Sequence, residues 1–182
     1  MRKFLDSLYL ASGWAAAFFI AAICTLVVVQ VCLNLIDRIS GLMTGTAIGL
    51  TIPSYADFTG FFLAAASFLA LAYTLRQGAH IRVTLFLSHV PGGLARLLEF
   101  WCIAAAAAIS AYFSWYTAVL VWESYQFHDL SPGMIAVPLW IPQTAMLAGL
   151  IILSIALVDE FITLLRGSRP SYAEHETEAS GE

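Results

Sequence analysis

The fold class predicted by this sequence is all-α integral membrane, with four transmembrane helices forming a single domain over residues 1–166. Three observations predict it. The chain is 60% apolar and only 11% charged, with a mean hydropathy of +0.84, far from the balance of a soluble domain. Its apolar residues fall into four long uncharged runs without the strict alternation of an outer-membrane barrel strand. Its basic residues cluster beside alternate ends of those runs, as the positive-inside rule requires.

The first uncharged run, Ser7 to Ile36, is far longer than the core of a cleavable signal peptide, so it is read as a retained span over residues 10–33. The second span covers residues 58–75, about 27 Å as a helix and just enough to cross. A third covers residues 100–122 and fits a bilayer with some tilt. The fourth covers residues 139–158, with Pro138 and Pro142 around Trp140 predicting a bent start or a start only at Pro142. Arg2, Lys3, Arg76, Arg82, Arg96, Arg166 and Arg169 lie on one side of this arrangement and only Arg38 on the other. That asymmetry puts both termini in the cytoplasm.

The connections have characters of their own. Asp37 to Ala56 is an apolar outer connection in which Gly41, Gly45 and Gly49 fit either a loop or a short close-packed helix. Ser54 and Asp57 form an S-x-x-D capping signature for the second span. Between spans two and three, Val83, Phe86, Leu87 and Val90 follow helical spacing up to Pro91-Gly92-Gly93, which predicts a short amphipathic helix lying in the inner interface against membrane lipid. The Glu-rich residues 167–182 read as a disordered acidic tail on the cytoplasmic side. Trp14 and Trp101 are expected at the inner interface, Trp122 and Trp140 at the outer one, and Trp115 deeper, packed on a helix or lipid.

Chemistry is sparse. No span carries Asp, Glu, Lys, Arg or His in its middle, where transport pathways, proton relays and haem sites need them. With most of the −4 net charge in the tail, there is no basic face for nucleic acid. Cys24, Cys32 and Cys102 sit in apolar runs without a CxxC pair and are expected to be buried packing residues. Ser88 and His89 are neighbours with no acid partner, and Glu123, His128 and Asp129 read as solvated loop groups; no catalytic, cofactor or metal residue is assigned. Gln30, Asn34 and Gln143, with Ser110, Ser114, Thr117 and Thr144, are the polar groups left to bond between helices. Gly13, Ala17 and Ala21, Ala104 and Ala108, and Ala145 and Gly149 form small-residue faces that favour a larger assembly.

The remaining motif is Arg76-x-Gly78-x-His80-Ile81-Arg82-Val83 at the inner end of span two. Its basic groups suit headgroup depth, and Gly78 suits a tight turn leaving the helix. Together with Ser131-Pro132, Pro138-Leu139-Trp140 and the span count, this motif resembles the small, four-helix membrane subunit of tripartite ATP-independent periplasmic (TRAP) transporters over residues 8–165. The chain departs from that family's pattern at Thr84, where many members are acidic, and before span two, where it has only Asp57. The resemblance implies a bacterial inner-membrane protein with two partners. One is a large multi-spanning subunit that holds the substrate and sodium sites and moves as an elevator. The other is a periplasmic substrate-binding protein that delivers an organic acid. The small subunit then acts as a scaffold, which agrees with spans free of charge. The alternatives are an anchor or assembly subunit of another inner-membrane complex of respiratory type, and a small membrane oxidoreductase.

Overall fold

The computed structural model describes residues 2–46, 48–77 and 92–165. The motif beyond Gln77 (Gly78, His80, Ile81, Arg82 and Val83), the expected interfacial helix and the acidic tail lie outside the described residues. Four helices make up the fold: α1 (Arg2–Thr44), α2 (Tyr55–Arg76), α3 (Gly92–Phe127) and α4 (Trp140–Leu165). Each is long and apolar enough to cross a membrane. Outside the helices, an isolated antiparallel bridge joins Leu130 to Pro138, and no strand occurs among the described residues.

The helices form a layer in the order α1, α2, α4, α3, because α1 packs on α2, α2 on α4 and α4 on α3. Neighbours joined by a connection run antiparallel, whereas α2 and α4 run parallel at the centre. Arg76 meets Asp159 at one end, Phe68 meets Gly149 in the middle, and Phe58 faces Ile141 at the other end. This follows from four successive crossings: α2 and α4 must enter from the same side.

Small residues set the spacing at the centre. A Cβ on Gly149 would lie 2.5 Å from the backbone carbonyl carbon and oxygen of Phe68, so α2 and α4 touch backbone to side-chain-free backbone there. Ala65, Ala66, Ala72 and Ala156 are all buried along the same seam. Tyr9 reaches across from α1 to pack against Ala72 and Ala156. At the α3–α4 seam Ile103 packs with Leu164, and Phe100 with Phe161.

Several elements differ from the sequence expectation. The stretch from Asp37 is not yet connection: α1 continues through Thr44, because no Pro interrupts it and the first residue at positive φ is Gly45 (φ 73). Gly45 ends it by donating its N–H to the Gly41 carbonyl, a left-handed cap. Ser54 stands before α2 as expected, but at φ 56 its side chain makes no capping bond. Its carbonyl accepts from the N–H groups of Asp57 and Phe58, while its Oγ accepts from Ile135 N–H in the loop between α3 and α4. Helix α4 starts at Trp140, two residues ahead of Pro142, which occupies the first turn, where a missing N–H loses nothing. The three cysteines are exposed rather than buried in this chain, each on an outward helix face.

Candidate functional site

Two polar clusters, one at each end of the layer, hold the described side chains with chemical character. At the end shared by Asp6, Arg76 and Asp159, the Arg76 guanidinium bridges three helices. Its Nη2 donates to Asp6 Oδ1 of α1 at 2.5 Å, and its Nη1 lies 3.5 Å from Asp159 Oδ2 of α4. It also sits over the Tyr9 ring, 5.4 Å from the centroid, a cation–π arrangement. Glu160 is buried beside Asp159, at 4% exposure. The arginine terminates α2, where a positive charge suits the helix dipole, and faces two carboxylates from opposite sides. Such a hub fixes the relative height of α1, α2 and α4.

Sequence reasoning identified Arg76 and missed its partners. Asp6 lies just beyond the uncharged run of α1, and Asp159 and Glu160 just beyond that of α4, the two helices that flank α2. The available signal was their position: an acidic residue at the basic end of a span invites a pair with Arg76.

At the opposite end the loops are tied back onto the helices. Gln30, 4% exposed, donates through Nε2 to Asn34 Oδ1 and Thr51 Oγ1, and accepts the Ile52 N–H at Oε1. Asp37 Oδ1 accepts from the N–H groups of Ile48 and Gly49 at 2.7 and 2.8 Å. Gln30, Asn34 and Asp37 therefore hold the connection between α1 and α2 against α1. The second loop is closed by Ser131, whose Oγ accepts from Val137 N–H and donates to the Ile135 carbonyl. It reaches α2 at Ser54, and Gly133 approaches so closely that a Cβ there would stand 2.0 Å from Asp57 Oδ2. His128 ends α3 in a left-handed conformation (φ 54), and the next N–H, of Asp129, returns to the Ser124 carbonyl. Gln143, in the first turn of α4, keeps its Oε1 buried and unbonded.

Within the layer the hydroxyls serve the bundle. Ser12 Oγ donates to the Leu69 carbonyl, joining α1 to α2. Ser110 and Ser154 share a hydrogen bond of 2.8 Å between α3 and α4, and Ser114 bonds the Ser110 carbonyl. Gly13 of the first small-residue face packs on Tyr73, while Ala17 and Ala21 remain exposed. Ala108 is likewise exposed. Trp14 is 70% exposed on the outward face of α1, eight residues from Asp6, about 12 Å along the helix. Trp115 is 71% exposed, at the rim of a groove between α3 and α4 that Ser114, Leu147 and Ile151 also line.

No group of three or more His, Cys, Asp and Glu in metal-binding proximity occurs among the described residues. The arrangement can order helices and present outward faces. The family model for tripartite ATP-independent periplasmic transporters, DctQ component, matches residues 43–167, the outer end of α1 and all of α2, α3 and α4. Neither the curated proteins nor the solved structures give a match.

Proposed function

Because the chain belongs to the DctQ component family of tripartite ATP-independent periplasmic transporters, we propose that it is the scaffold of a sodium-coupled uptake system for an organic acid. It is the small membrane subunit of such a transporter, and a transport component rather than an enzyme. In our reading it holds the large multi-spanning subunit, which carries the substrate and sodium sites. A periplasmic binding protein delivers the acid to that assembly. Both termini lie in the cytoplasm, so the Arg76 hub sits at the inner face and the Gln30 and Ser131 loops at the outer one. Residues 1–166 act as one membrane domain followed by an acidic tail. Arg76, Gly78, His80, Ile81, Arg82 and Val83 form the inner corner and serve insertion and assembly.

The observation that carries the scaffold reading is where the buried hydroxyls go. A carboxylate substrate needs donors aimed into a cavity, commonly with a helix N-terminus or an arginine behind them. Here the buried Ser12 and the half-buried Ser114 and Ser154 donate to backbone carbonyls, and Arg76 faces Asp6 and Asp159. These donors build the bundle instead of a binding site.

Proteoliposomes test this. Vesicles holding this chain alone are expected to take up no organic acid down a sodium gradient. Vesicles with the large subunit, this chain and added binding protein are expected to do so. Uptake by the chain alone would show that it carries its own substrate site and refute the scaffold role.

A further inference from the structure

The two edge helices of the layer, α1 and α3, expose most of their surface, but their outward faces differ in chemistry. Depth along α3 follows from its contacts with α4. Phe100 meets Phe161, Ser110 meets Ser154, and Tyr125 meets Trp140. In this register Asp159, held by Arg76, falls opposite residue ~105 of α3, and Glu123 marks the other charged level about 27 Å away, close to one hydrocarbon thickness. Tyr112, Trp115 and Tyr116 lie between, each at least about 10 Å along the helix from either charged level.

Those three residues share one helix face, within an arc of about 100°, and are exposed by 59%, 71% and 56%. The rings of Tyr112 and Tyr116 pack one turn apart, their centroids separated by 4.5 Å. The face thus carries two phenol hydroxyls and the Trp115 indole N–H, three hydrogen-bond donors. Acyl chains offer no acceptor at this depth, and tyrosine and tryptophan facing lipid favour the headgroup level. On α1 the exposed residue at the equivalent depth is Trp14, about 12 Å from Asp6; further along, the outward face is Phe18, Ile20 and Val28, and Thr25 donates to its own helix at Ala21, so this edge presents one indole and no phenol. One and two turns before Tyr112, the exposed Ala108 and Ala105 leave room for a close backbone approach. Tryptophan and tyrosine are also the residues most enriched at the centres of protein interfaces.

We infer that the Tyr112–Trp115–Tyr116 face of α3 is the surface on which a transmembrane helix of the large subunit docks, presenting hydrogen-bond acceptors at mid-membrane depth. The α1 edge is left to lipid. This rests on the scaffold reading and adds which face performs it.

The test uses the full transporter. With p-benzoylphenylalanine in place of Trp115, irradiation is expected to link this chain to the large subunit, and in place of Phe18 it is not. Tyr112→Phe and Tyr116→Phe keep the rings and remove only hydroxyls. They should weaken retention of the large subunit about threefold each and roughly tenfold together. Links from position 115 to a second copy or to lipid alone, or unchanged retention in the double variant, would overturn the assignment. Wild-type chain that fails to retain the large subunit at all would instead refute the scaffold reading itself.

Discussion

Two non-glycine residues in left-handed conformation set the outer loops, and they make opposite predictions. His128 at φ 54 closes α3 through the Asp129 N–H, and its side chain makes only an exposed local hydrogen bond, Nδ1 to the Gln126 carbonyl at 3.1 Å, which water replaces at little cost. A β-carbon costs on the order of 1 kcal/mol in this region, so His128→Gly should stabilise the protein by about that amount. Ser54, at φ 56, carries the same strain, but its Oγ accepts the Ile135 N–H and ties the two outer loops together. Ser54→Ala keeps the strain and loses a bond worth about 1 kcal/mol, so it should destabilise. Thermal unfolding in one detergent compares the pair: His128→Gly should melt above wild type and Ser54→Ala below. Neither conformation is legible in the sequence. Ser54-x-x-Asp57 carries the pattern of a capping box, and only the arrival of Ile135 from 81 residues away turns the serine elsewhere.

The existence of the four helices was readable, because hydrocarbon demands long uncharged runs and each run falls on one helix. Their ends were less so. Charge at Asp37 and Arg38 suggests the end of α1, yet a helix leaving the membrane need not stop, and this one runs on to the first glycine able to cap it. The small-residue patterns identified contact faces without saying which contact. Gly149 meets the Phe68 backbone, whereas Gly13 meets the Tyr73 ring, with Cβ approaches of 2.5 and 2.8 Å. Backbone cannot rotate aside and a ring can. Gly149→Ala should therefore push α2 from α4 and cost about 1–3 kcal/mol, as overpacking does, while Gly13→Ala should cost less. A Gly149→Ala variant as stable as Gly13→Ala would show that the central seam is looser than the structure has it.

For the molecule as a whole, the layer fixes relative direction, and the charge distribution predicts the absolute one. Because α2 and α4 run parallel and the chain crosses four times, the ends bearing Asp6, Arg76 and Asp159 share one side, and the loops around Thr51 and Ser131 share the other. No single crossing can be reversed while the Arg76 pairs and the Ser54–Ile135 bond are kept. The basic residues then choose between two whole-molecule orientations, and seven of the eight lie on the Arg76 side. A reporter active only in the periplasm, fused after Tyr125, is expected to be active, and the same reporter fused after Arg166 inactive. Arg76→Glu removes the hub's positive charge and adds a fourth carboxylate beside Asp6, Asp159 and Glu160. That variant is expected to insert or assemble poorly, which the yield of complex with the large subunit measures. Normal yield, or a cytoplasmic signal after Tyr125, would mean that the orientation is set by something other than the charges at this corner.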